Sequence, residues 1–165
     1  MSRIIVGVMG PGEGVTVKEI EAAAELGRLI ALQGWVLLSG GCNRGVMDAA
    51  SKGAKNAGGL VVGVLPTGDR DIMSSAVDIP ILTDMGSGRN NINVLSSDLV
   101  IACGMGAGTA SEIALALKAK KEVILLTDHE KGKDFFKSLA PEKVHLAGDP
   151  SEAIGLAKMI LETSA

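Results

Sequence analysis

The chain of 165 residues contains no tyrosine, and Trp35, Phe135 and Phe136 are its whole aromatic content. With so few rings and a net charge of −3, it offers neither the stacking platform nor the basic footprint that DNA or RNA binding requires, so nucleic acid is not expected as a partner. Its two cysteines, Cys42 and Cys103, are too few and too far apart for a disulfide framework or a zinc site. They are read as free thiols of a reducing compartment, with no metal ligands assigned and a cytoplasmic location expected. His129 and His145 stand alone in late segments, so neither a Ser-His-Asp nor a Cys-His arrangement supports nucleophilic catalysis. The apolar run at 4–9 is too short for the core of a signal peptide. No stretch reaches the roughly 18 apolar residues of a membrane span.

What the chain has is apolar residues (47%) and glycine (22 residues), with charged residues held to 21%. That composition describes a globular protein with a well-filled core, and the length suits one domain over residues 1–165. Short runs rich in Val and Ile alternate with helical patterns: 3–9, 17–33, 35–39, 46–57 and 60–65, then a further short run at 77–82 after a loop. The pattern resumes with a helix at 90–96, a strand at 98–103, a helix at 110–120 and a strand at 122–127, and it closes with 143–146 and a helix at 151–162. Alternation of this kind predicts an α/β fold, a Rossmann-like doubly wound parallel sheet with helices on both faces. Thr16 with Glu19, and Thr109 with Glu112, have capping-box spacing, and Asp149 precedes Pro150 at the start of the last helix. The helix at 110–119 is apolar on nearly every face, which calls for cover on both sides, by the core or by a second subunit.

Three glycine clusters fall at the ends of predicted strands, where the loops of a doubly wound sheet converge on a ligand crevice. The first is GPGEG, with Gly10, Pro11 and Gly12; the second is SGGCNRG, with Gly40, Gly41, Cys42, Arg44 and Gly45; the third is GMGAGTASE, residues 104–112. In the third, Gly104, Met105, Gly106, Ala107, Gly108 and Thr109 form a strand-to-helix turn. Backbone N–H groups at a helix start, with no side chains in the way, suit a phosphate. None of the loops has the Walker spacing GxxxxGK[ST], and the spacing at Gly10 and at Gly104 lacks the last glycine of GxGxxG.

Glu112 has two readings: the acidic partner of a cap on Thr109, or a base or hydrogen-bond acceptor pointing into the pocket with the threonine hydroxyl left for phosphate. In GSGRNNIN, residues 86–93, Arg89 has a planar fork suited to phosphate or carboxylate, and Asn90 and Asn93 have amides suited to the polar edge of a heterocycle.

These motifs together resemble a known family. IIVGVMGPG, GWVLLSGG, GVMDAASKGAKNAGG, VVGVLP, AVDIP, GSGRNNINVLSSD and GMGAGTASEIALALKAKK, in this order over residues 3–127, are similar to the molybdenum cofactor carrier proteins. Those carriers belong to a Rossmann-like superfamily that includes the Lonely Guy phosphoribohydrolases and proteins once labelled lysine decarboxylases. The resemblance implies a homo-oligomer, dimer or tetramer, that binds the phosphorylated pterin of the molybdenum cofactor (molybdopterin) without catalysis and has molybdenum enzymes as recipients. The enzymes of the superfamily carry an Arg-Lys pair and PGGxGTxxE. Here Asn90 follows Arg89 and the glycine motif reads CGMGAGTASE, while Thr109 and Glu112 are kept. The alternative implied is a phosphoribohydrolase acting on AMP or another nucleoside monophosphate, with Arg89 and Glu112 as its catalytic residues.

Overall fold

The computed structural model describes residues 3–163. Seven parallel strands form one sheet in the order β4-β3-β2-β1-β5-β6-β7: β1 (Ile5–Met9), β2 (Val36–Ser39), β3 (Val61–Leu65), β4 (Ile79–Leu82), β5 (Leu99–Cys103), β6 (Val123–Leu126) and β7 (Val144–Leu146). The six helices are α1 (Val17–Leu32), α2 (Gly45–Asn56), α3 (Arg89–Ser96), α4 (Ala107–Lys118), α5 (Glu130–Leu139) and α6 (Pro150–Thr163). The expected Rossmann-like α/β architecture is what the chain adopts.

Strand periodicity builds a core on each side of the sheet. In β5, Leu99, Ile101 and Cys103 join Val6, Val8, Leu26 and Ile30 on the face covered by α1, α2 and α6. Val100 and Ala102 join Ile113, Ala116 and Phe136 on the face of α3, α4 and α5. A parallel strand buried on both faces must be apolar at every position, and β5 is. On the first face α1 and α2 meet backbone to backbone. A Cβ on Gly27 would lie 2.0 Å from the carbonyl oxygen of Ala50, and one on Gly53 would lie 1.9 Å from that of Ala24.

Element edges follow local chemistry. Thr16 and Glu19 form the expected capping box at the start of α1, and Asp149 accepts the N–H of Glu152 at 2.8 Å at the start of α6. The run expected as a strand at 77–82 is a strand from Ile79 to Leu82; just before it the Asp78 N–H donates to the Val61 carbonyl at 2.9 Å, and its carboxylate accepts the N–H of Val61 at 2.9 Å and bonds Lys55. Two expectations fail. The segment between β6 and β7, expected to carry no element, holds α5; Phe135, Phe136 and Leu139 stand at helical spacing in it, with Phe136 alone of the three buried, and its N-cap is His129, whose Nδ1 accepts the N–H of Gly132 at 3.0 Å. The second box, on Thr109 and Glu112, does not form. Gly106 is extended at φ −151° and caps α4 itself, so the helix starts at Ala107 and Thr109 is already inside it. In a single chain α4 is covered on one side only: Ala107, Gly108, Ser111 and Ala114 are exposed.

Candidate ligand-binding site

The strand order reverses between β1 and β5, which pair directly from Val6–Leu99 to Met9–Ala102. The loops leaving these two strands therefore separate above the sheet, and the crevice between them is where a doubly wound fold binds ligands. A cleft of about 350 Å³ opens there.

Two glycines bring its walls together. A Cβ on Gly10 would lie 2.4 Å from the carbonyl oxygen of Cys103 and from Val46, so only glycine lets the first loop pass between β5 and α2. Gly45 has φ +56°, and a Cβ there would lie 2.3 Å from the carbonyl oxygen of Pro11. That carbonyl accepts the N–H of Val46 at 3.0 Å, which ties the start of α2 to the first loop.

The floor is the first turn of α4. No side chain caps it, and the N–H groups of Ala107, Gly108 and Thr109 have no intrahelical acceptor. The hydroxyl Oγ1 of Thr109, 1% exposed, has no hydrogen-bond partner. A buried hydroxyl without a partner costs about 1–3 kcal/mol. It stands beside the partial positive charge of a helix N-terminus, so the donors of this turn are electrostatically complementary to an anion.

α3 supplies the other wall. Arg89 Nε donates to the Val64 carbonyl at 2.9 Å, Nη2 reaches the Gly40 carbonyl at 3.4 Å, and Nη1 bonds Asn90 Oδ1. Most of its fork thus holds β3, the second glycine loop and α3 in place. Asn90 Nδ2 donates to Ser111 Oγ at 3.0 Å, joining α3 to α4. Asn93 Nδ2 donates to Glu112 Oε1 at 2.9 Å, and Asn93 Oδ1 is buried without a partner. Asn90 is thus engaged through both ends of its amide, and Asn93 through its Nδ2. Burial pushes the Glu112 carboxyl up to about 7, against the pull of the Asn93 hydrogen bond and the Arg89 charge.

Of the residues singled out in the sequence, Gly10, Pro11, Gly12, Gly40 and Arg44 line the cleft, as do Arg89 and Asn90 on one side and Gly106 to Thr109 with Glu112 on the other. The rest lie behind it. Gly41, at φ +74°, packs against Gly63; Cys42 is buried and bridges to Met73. Gly45 and Asn93 support the walls, Gly104 turns beside Glu19 and Pro11, and the Met105 side chain points to Gly132. The thiols do not meet. Cys103 faces α1, where its Sγ contacts the Glu19 carbonyl at 3.7 Å, and burial with the Glu19 charge pushes it up to about 12. Sequence reasoning missed Val8, Met9, Glu13, Met47 and Ser87. The helical spacing of Met47 from Arg44, one turn, was the signal available for it. Arg44 pairs with Glu13 at 3.0 Å at the exposed rim.

A seven-stranded parallel sheet with an uncapped helix start and a buried hydroxyl at its switch point defines a Rossmann-like protein with a ligand cleft. Residues 3–154 match the SLOG cluster4 family. The chain belongs to that family and, within the superfamily that also holds the Lonely Guy phosphoribohydrolases, to the molybdenum cofactor carrier proteins. It is 54% identical to the molybdenum cofactor binding protein of the phototrophic bacterium Rippkaea orientalis, with a TM-score of 0.96 over 98% of this chain and 99% of that one. It is 52% identical to the Moco carrier protein of Chlamydomonas reinhardtii, with a TM-score of 0.92 and the same coverage. A more distant relative is the cytokinin riboside 5′-monophosphate phosphoribohydrolase of Mycobacterium tuberculosis, 36% identical over 96 residues; the match takes in 57% of this chain and about half (51%) of the enzyme. Among the described residues no helix is long and apolar enough to cross a membrane.

Proposed function

We propose that this chain is a cytoplasmic carrier whose cargo is the molybdenum cofactor, working as a homo-oligomer that passes the cofactor to molybdenum enzymes. The observation that carries the reading is the first turn of α4: an uncapped helix start with the orphaned Thr109 hydroxyl beside it, at the floor of a cleft large enough for a small phosphorylated molecule. These groups fit the phosphate of a pterin phosphate. Storage requires only that the ligand be bound, with no preference for a transition state. The engagement of Arg89, Asn90 and Asn93 within the walls suits a rigid receptacle. The similarity to cofactor carriers over nearly the whole chain supports the cargo. Anaerobic titration with cofactor released from a molybdenum enzyme, followed by protein fluorescence from Trp35 or by cofactor absorbance, gives saturable binding on this reading. Absence of saturation overturns it.

A second reading is a nucleoside monophosphate phosphoribohydrolase, favoured by the Glu112 carboxyl facing the cleft at about 7, a value suited to general acid–base work. Its test is release of adenine from AMP under single-turnover conditions, with protein in excess. No free base overturns it.

A further inference from the structure

Glu112 sets a problem that the cargo alone does not answer. Its carboxyl, 7% exposed, faces the same cleft as the first turn of α4 and lies one helical turn beyond Thr109. A site prepared for a phosphate thus holds a buried carboxyl of its own. Its one side-chain hydrogen bond comes from Asn93 Nδ2. The nearest cation, Arg89, is turned to the carbonyls of Val64 and Gly40 and to Asn90. The remaining charged groups around the cleft, Glu13 and Arg44, pair with each other at the exposed rim. From β1, the residues facing it are Val8 and Met9, which bring no charge. Among the described residues, nothing lining the cleft neutralises both a phosphate dianion and an ionised Glu112.

We infer that Glu112 takes up a proton when the cleft binds a phosphomonoester, so that a neutral carboxyl, able to donate a hydrogen bond, lies beside the phosphate and release is favoured by alkaline pH. The proton comes from solvent and returns to it on release; no covalent bond changes. The inference rests on the reading of the cleft as a phosphate site, not on which phosphomonoester fills it. The free protein supplies the starting point, since burial already brings the carboxyl to about 7. A dianion close by raises it further.

The sign of the effect separates this from ordinary anion binding. A phosphomonoester loses its second proton near pH 6, so binding of the dianion to a site of fixed charge tightens slightly as pH rises. Proton uptake by Glu112 reverses that trend: from pH 6.5 to 8.5 the dissociation constant of the unmodified protein rises by about 20-fold. The test is calorimetric titration of the whole protein with AMP and, anaerobically, with released cofactor, in buffers of different ionisation heat. The expected result is uptake of close to one proton at pH 8, and a dissociation constant for Glu112→Gln that changes by less than about twofold between the two pH values. Thr109→Val, a second variant, weakens binding at both pH values but keeps the pH slope of the unmodified protein. Binding without proton uptake, or an equal slope in Glu112→Gln, overturns the inference while leaving a phosphate carrier intact. Proton-coupled binding of AMP with no binding of cofactor overturns the carrier reading and leaves the inference standing.

Discussion

Helices α1 and α4 leave adjacent strands, β1 and β5, and each carries a threonine followed three residues later by a glutamate. In α1 the pair closes on itself: the N–H of Glu19 donates to Thr16 Oγ1 at 3.2 Å and the N–H of Thr16 to Glu19 Oε2 at 2.8 Å, with Thr16 exposed. In α4 the same spacing leaves Thr109 without a partner and gives Glu112 to Asn93. The difference lies in the loops. From the end of β1 the chain runs to Thr16 before α1 begins, which carries the helix start out to solvent. β5 reaches α4 through Gly104, Met105 and Gly106 alone, which sets the helix start on the crevice. With Gly106 as cap, the threonine falls three positions too late to serve as one. A local signal reads as a cap or as a binding floor according to the length of the loop before it.

The largest effect that sharpens the contrast is on stability at Glu112. Its carboxyl is raised in the fold from an ordinary 4.5 to about 7. Stability from the protonated form is therefore complete below pH 4.5 and lost as pH rises through 7, by about 3 kcal/mol. Glu112→Gln, which keeps an acceptor for Asn93, should match the unmodified protein in urea unfolding at pH 4 and exceed it by up to about 3 kcal/mol at pH 8. Equal stability at pH 8 would show that burial does not strain the carboxyl. Next comes Thr109→Val. Removing a buried hydroxyl with no partner should leave the unfolding midpoint unchanged or raise it. Phosphate-ligand affinity should fall by about tenfold to a hundredfold, the loss of a hydrogen bond to a charged group. A drop in stability of 1 kcal/mol or more would mean that the hydroxyl is capping after all.

The parallel sheet and the three glycine loops were legible because periodicity and turn residues are local properties. β5 is apolar at all five positions, and Gly10 and Gly45 are glycine for reasons of approach that any turn reading anticipates. α5 was missed although Phe135, Phe136 and Leu139 stand at helical spacing; the segment is otherwise polar, and Phe135 and Leu139 are exposed. In the site, residues near a loop in sequence were assigned to the cleft together, yet Gly41, Cys42 and Met105 turn away from it while Met47 and Glu13 turn in. Which way a side chain leaves a tight turn depends on tertiary packing. So does the state of Glu112, whose burial is produced by α3, a helix 16 residues earlier in the chain at its nearest end.

The smallest effect tests the other half of the comparison. Thr16→Ala removes the acceptor for the N–H of Glu19 and leaves that donor to water, which is available because Thr16 is exposed. The cost should be about 1 kcal/mol, the usual value for a lost N-cap, seen as a fall of about 3 °C in Tm. Affinity for AMP or cofactor should not change, because α1 begins outside the cleft. The two threonines would then divide cleanly: at α1 the substitution lowers stability and spares binding, and at α4 it spares stability and lowers binding. If Thr16→Ala also weakened the ligand, the first loop, whose Gly10, Pro11 and Gly12 line the cleft, would have to be held in place by the cap of the helix that follows it, and the helix starts would be coupled through that loop rather than independent.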